Sequence, residues 1–247
     1  MTHTELLRFP DQGALVADAA QRLTTAIAEA QDQRGIARIV LTGGGAGIAL
    51  LAALRESAAD IDWQHIEFYW GDERFLPPSD PERNEVQARK ALLNHVPVDH
   101  MKVHPMPTDS GQFAGDVDAA AEFYRLHLPT AVDSEGVLSP LFDVHLLGMG
   151  GEGHVNSIFP DSPAVHEAEA TVVPVRNCPK PPPTRITMTL PLVRRSAQVW
   201  LLVAGAEKAV AAAAAINGAS PVDIPSAGAL GVEQTLWFLD EAAAADL

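Results

Sequence analysis

Residues 142–159, FDVHLLGMGGEGHVNSIF, join an apolar, β-prone run to four glycines and one imidazole. The run Phe142–Leu147 breaks into Gly148, Gly150, Gly151 and Gly153, and His154 follows at once. A strand that ends in glycine delivers backbone N–H groups and one side chain to the carboxyl edge of a sheet, where α/β proteins bind ligands. An imidazole held there can accept a proton near neutral pH. The glycines let a substrate approach the backbone closely.

The same stretch contains a false lead. Gly148-x-Gly150-x-x-Gly153 matches the spacing of a dinucleotide fingerprint, which also requires a helix running on from the last glycine. Pro160 and Pro163 leave room for a short helical turn at most. Glu169 stands where an acid is wanted, but acids are common throughout this chain. No nicotinamide or flavin cofactor is expected.

Three further segments bear on chemistry. Thr42-Gly-Gly-Gly-Ala-Gly47 follows an apolar run and precedes a helical pattern, so its N–H groups and the helix dipole can hold an anion. A tight turn with close helix–strand packing explains the same glycines equally well. It is not a Walker loop, because no Gly-Lys-Ser/Thr follows. Trp70-Gly-Asp-Glu-Arg74 places three charges directly after a buried-type strand. Arg74 there can grip an oxyanion, with Asp72 or Glu73 orienting it; a solvated loop is the competing reading. Lys180-Pro-Pro-Pro-Thr-Arg185 sets two cations on a stiff loop suited to phosphate or carboxylate, although ordinary surface charge accounts for that loop on its own.

Metal and serine chemistry find less support. His100 and His104 have an i, i+4 spacing, but Asp99–Pro105 reads as strand or loop, no His-Glu-x-x-His pattern exists, and solvated histidines are expected. No Gly-x-Ser-x-Gly elbow is present. Cys178 is the single cysteine, so no internal disulfide forms; it sits in Asn-Cys-Pro-Lys as an incidental thiol and fits a reducing cytoplasm. A net charge of −15 argues against a nucleic-acid partner. No signal peptide and no apolar run of membrane-spanning length are visible.

The elements that must position these loops alternate in type. Strands are expected at Glu5–Phe9, Ala37–Leu41, His65–Trp70, Phe142–Leu147, Thr171–Val175, Arg185–Thr189, Gln198–Ala204 and Thr235–Leu239. Helices are expected at Asp11–Ala30, Ile48–Ser57, Pro81–Leu93 (capped by Asp80 or Ser79), Phe113–Leu128 and Ala206–Ile216. This βαβα order predicts an α/β fold, a mostly parallel sheet with helices on both faces, as one domain over residues 1–247.

In this order the loops resemble the 6-phosphogluconolactonases of the glucosamine-6-phosphate isomerase/6-phosphogluconolactonase family. The resemblance runs through Thr42–Gly47, Trp70–Arg74 with Asn84, Leu147–His154 with Ser157-Ile-Phe-Pro160, Arg185-Ile-Thr-Met-Thr and Ala204-Gly-Ala-Glu-Lys208. It implies a fold shared with sugar-phosphate isomerases and hydrolysis of 6-phospho-D-glucono-1,5-lactone without cofactor or metal. It implies His154 as general base, Arg74 and Glu152 as its active-site companions, and Lys180 and Arg185 on the phosphate side. Thr42, Gly43, Gly44, Gly45, Asp72, Gly148, Gly150 and Lys208 complete the implied substrate site. Two departures stand out. Gly43-Gly-Gly-Ala-Gly47 replaces a family Gly-Gly-Ser-Thr-Pro and loses its hydroxyls. Glu152-Gly-His154 replaces Asp-Gly-His and reaches one methylene further. A cytoplasmic monomer is expected. The alternatives are an aminosugar-phosphate isomerase/deaminase, whose relatives carry Asn-Glu-Pro after Gly-His, and a non-catalytic sugar-phosphate sensor.

Overall fold

The structure is a computed structural model that describes residues 3–56, 61–130 and 140–247. Nine strands lie among them. β1 (His3–Phe9), β2 (Ala37–Leu41), β3 (Ile66–Trp70), β5 (Phe142–Gly148), β8 (Ser196–Val203) and β9 (Gln234–Asp240) form one six-stranded sheet in the order β1-β9-β8-β5-β2-β3, with every pairing parallel. The central strands read as near-continuous apolar runs because helices cover both faces. Ile39, Leu41, Phe68, Trp70, Val144, Leu146, Trp200 and Leu202 face α1 (Gln12–Arg34) and α2 (Gly44–Glu56). Their neighbours Val199, Leu201 and Val203 face α6 (Leu190–Val193) and α7 (Ala209–Ile216). Val40, Tyr69 and Phe142 face α4 (Val117–Leu126) and a second sheet.

That second sheet is a correction to the expected topology. β4 (Asp72–Arg74), β7 (Arg185–Met188) and β6 (Val172–Val175) pair antiparallel in the order β4-β7-β6, so two expected strands leave the parallel sheet. Pro174 lies in the edge strand β6, where proline is tolerated. β4 escapes a sequence reading because three charged residues show no apolar alternation.

Helix limits also move. α2 begins at Gly44, four residues before the periodic pattern, and Ser57 lies outside the described residues. The expected helix at 81–93 starts only at α3 (Asn84–Ala88), follows Arg83 rather than Ser79 or Asp80, and widens into a π turn over Arg89–Leu93. Asp80 instead accepts the Glu82 N–H at 2.9 Å. α4 starts at Val117 because Asp116 caps it, accepting from Ala119 N at 3.0 Å. α5 (Pro163–His166) is the short turn the prolines allow.

The chain runs from β2 outward to β3, then crosses β2 to enter β5. Connections leave the carboxyl ends of β2 and β5 in opposite directions, which opens a crevice between them.

Candidate active site

A cleft of about 170 Å³ occupies that crevice. Its wall includes the Thr42–Gly47 loop, Asp72, Arg74, Asn84, Gly148, Gly150, His154, Asn156, Arg185 and Lys208. A larger cavity, about 330 Å³, lies at the amino ends of the strands beside Arg34, Arg38 and Asp143. Its arginines pair with Asp143 and Glu67, which leaves no unpaired cation there among the described residues. The carboxyl-end cleft is the one with the chemistry.

Thr42 ties its two principal strands together. Its Oγ1 accepts the Gly148 N–H at 3.2 Å. Beyond Thr42 the chain turns straight into α2, whose first N–H groups have no carbonyl a turn earlier to bond and so face an anion's position. The lost family hydroxyls therefore leave the amides intact.

The charged loop after β3 is fixed by its own buried network. The Asp72 carboxylate accepts from Asn84 Nδ2 at 3.1 Å and from Ser157 Oγ at 2.6 Å. Glu73 is fully buried and accepts the N–H groups of Arg74, Asn84 and Glu85 at 2.8, 2.7 and 2.9 Å. Burial pushes its carboxyl up to about 7, against the pull of Arg83 and those three donors. The fully buried Arg83 stands 3.6 Å from Glu73 and donates to the carbonyls of Arg74 and Met106 at 3.2 and 2.9 Å. Glu73 is thus a loop anchor rather than a solvated charge. Arg74 donates Nη1 to the Glu82 carbonyl, and its Nη2 forms no hydrogen bond with the described residues.

His154 sits where β5 has broken into glycine. Its ring stacks on Phe159 with centroids 4.2 Å apart. Its Nδ1 stands 3.2 Å from Glu152 Oε1, close enough for attraction but not aligned as a hydrogen bond. Burial lowers the imidazole pKa below the ordinary histidine value; Lys180 adds to this, while Glu152 and Asp72 oppose it. The ring is therefore neutral near pH 7, the form that accepts a proton. Partial burial works against ionisation of Glu152, yet a hydrogen bond from Lys180 Nζ at 2.9 Å and nearby charges hold its carboxyl below the usual range.

Several expectations change in detail. Gly148, Gly150 and Gly153 donate their N–H groups to Thr42 Oγ1, His154 O and Gly150 O, so these three amides are bonded within the loop and to Thr42. Arg185 lines the cleft, but its Nε and Nη2 bind the carbonyls of Pro182, Lys180 and Pro181 at 3.1, 3.0 and 3.1 Å. Lys180 is absent from the cleft wall. Lys208 is in it, forms no hydrogen bond or ion pair with the described residues, and has its pKa lowered chiefly by burial. His104 is not a solvated histidine: it stacks on Tyr69 with centroids 4.6 Å apart. Among the described residues no group of three or more His, Cys, Asp or Glu could hold a metal, and no helix is long and apolar enough to cross a membrane.

Asn156 was not read from sequence. It is buried in the cleft wall at φ 50°, with both amide atoms lacking hydrogen-bond partners among the described residues. Asparagine tolerates that left-handed backbone better than most residues, which is the one signal the sequence offers.

Comparisons with known proteins show which family the chain belongs to. The family described as glucosamine-6-phosphate isomerases/6-phosphogluconolactonase matches residues 10–237. A 6-phosphogluconolactonase of Mycobacterium tuberculosis is 56% identical over 239 residues, covering 97% of this chain and 96% of the relative. One of Streptomyces coelicolor is 50% identical over 246 residues, covering 98% and 94%. The solved 6-phosphogluconolactonase from Trypanosoma cruzi superposes with a TM-score of 0.82 at 26% identity, covering 100% of this chain and 98% of that one.

Proposed function

The chain belongs to the glucosamine-6-phosphate isomerase/6-phosphogluconolactonase family, and from that premise we propose that it hydrolyses 6-phospho-D-glucono-1,5-lactone to 6-phospho-D-gluconate in the oxidative branch of the pentose phosphate pathway. The observation that carries the mechanism is the largely buried His154 imidazole in the cleft wall, its Nδ1 3.2 Å from the Glu152 carboxylate. His154 removes a proton from water as the water oxygen attacks the lactone carbonyl. The carbonyl oxygen becomes an oxyanion, which the free Nη2 of Arg74 stabilises. The C1–O ring bond then breaks, and the departing ring oxygen takes the proton from the imidazolium to become a hydroxyl. Glu152 stabilises the transient positive charge on the ring. A placed base of this kind accelerates such a step by about 10²–10⁴-fold.

Phosphate, remote from the reacting carbon, supplies orientation and binding energy. The amides opening α2 and Lys208, which has no ion pair among the described residues, suit a dianion best. Lys180 and Arg185 are already bonded within the protein. The identity to lactonases and Ser157-Ile-Phe-Pro160 in place of Asn-Glu-Pro favour this reading over aminosugar isomerisation. A sensor would have no use for a neutral base beside a carboxylate. A single-domain, monomeric cytoplasmic enzyme fits this chemistry.

The decisive experiment is lactone hydrolysis at mildly acidic pH against the spontaneous rate, with phosphorylated and plain lactone side by side. Turnover no faster than the uncatalysed reaction would remove the reading.

A further inference from the structure

Lys180 and Arg185 open and close a six-residue loop containing three prolines. Buried Arg185 binds three successive carbonyls of that loop, those of Lys180, Pro181 and Pro182. Its Nη1 reaches Ser157 Oγ at 3.3 Å, and Ser157 in turn donates to Asp72. The backbone of Lys180 is therefore fixed to the floor of the site. From that anchored position its ammonium extends to Glu152 Oε2 at 2.9 Å, while Glu152 Oε1 faces His154 Nδ1 at 3.2 Å. Cation, carboxylate and imidazole are thus linked in that order, with Glu152 between Lys180 and His154.

We infer that Lys180 is a positioning residue: its ammonium holds the Glu152 carboxylate against His154, and it is not a ligand of the substrate phosphate. This rests on the reading of His154 as the base. Glu152 has three rotatable bonds to restrain, one more than an aspartate at that place would have. Lys180 and Glu152 are 49% and 35% exposed, and a pair so open to water adds little to stability. Its effect lies in which rotamer Glu152 occupies. The charged groups acting on His154 are Glu152, Lys180 and Asp72. Of these, only Glu152 both approaches Nδ1 and is itself held by a second charged side chain.

The test is steady-state kinetics of Lys180→Met, Lys180→Arg, Glu152→Gln and the Lys180→Met/Glu152→Gln double variant, on phosphorylated and plain gluconolactone. Lys180→Met is expected to lower kcat about tenfold with KM nearly unchanged and with the preference for the phosphorylated lactone preserved. Lys180→Arg restores most of the rate, and Lys180→Met has no further effect once Glu152 is Gln. A raised KM with collapse of the phosphate preference would make Lys180 a phosphate ligand and overturn the inference. Losses that simply multiply in the double variant would overturn it too. A wild-type rate in His154→Asn would bring down the base assignment and this inference together, a different signature from either.

Discussion

A β carbon on Gly150 would stand 2.1 Å from both Nδ1 and Cε1 of His154 and 2.7 Å from Glu152 Oε2. The bare α carbon of Gly150 is thus what allows imidazole and carboxylate to lie side by side over the loop. Gly150→Ala should displace the ring and lower kcat by at least about tenfold. Thermal unfolding should move little, because the loop is at the cleft surface. A near-wild-type rate would show that the ring position seen here is not the working one.

His154→Asn keeps a polar side chain of similar reach but cannot take a proton. We expect kcat to fall by about 10²–10⁴-fold while binding of 6-phosphogluconate stays within a few-fold. Calorimetric titration with that product separates lost chemistry from lost binding.

The pH profile follows from the same ring. Burial lowers the His154 pKa, so the base form persists as pH falls below the ordinary histidine value. The acid limb of kcat/KM should therefore lie below about pH 6.5. A limb above that value, measured against the spontaneous rate, would mean that the imidazole is not desolvated in the free enzyme.

The parallel sheet and its loops were legible because apolar runs ending in glycine have few structural meanings. Phe142–Leu147 followed by Gly148 and His154 located both the strand and an imidazole that lines the cleft. The Asp72–Arg74 strand was not legible: its identity comes from pairing with Arg185–Thr187, a partner more than a hundred residues away. Glu73 and Arg83 were hidden for a related reason, since two charges in sequence do not announce that they will be buried together. Lys180 and Lys208 looked alike as cations near glycine or proline. Only the fold shows that one is paired with Glu152 and that the other lines the cleft without an ion pair among the described residues.

That difference makes Lys208 the cation to remove. Lys208→Met should reduce kcat/KM for the phosphorylated lactone by about ten- to a hundredfold, the range for losing one charge-assisted contact. Plain gluconolactone should be affected far less. Equal losses on both substrates would move Lys208 from the phosphate to the reacting end.

Chelation should leave turnover unchanged. The proposed water activation uses His154, and the described residues offer no cluster of three metal-ligating side chains. Loss of activity on exhaustive dialysis against chelator, restored by one divalent ion, would require a different source of the attacking hydroxide.

His145 gives a prediction about stability rather than rate. It is fully buried in β5, with Nε2 unpartnered and Nδ1 3.4 Å from Ser196 Oγ, and burial lowers its pKa to about 3. An unfolded chain protonates this ring below about pH 6.5, whereas the folded one stays neutral until far lower pH. The unfolded state therefore binds more protons in that window, and stability falls with pH through it. The contribution is complete above pH 6.5 and drains away as pH drops toward 3. Glu73 acts in the opposite sense between about pH 7 and 4.5, because its folded pKa is raised. The two are separated by comparing wild type with His145→Gln, which keeps Glu73 and cannot titrate. Urea unfolding at pH 7 and pH 4.5 should show wild type losing more stability than the variant, by on the order of 2 kcal/mol. Parallel losses in the two proteins would mean that His145 is already protonated in the folded state or reaches solvent, and that the floor beneath Gly71 is wetter than its burial indicates.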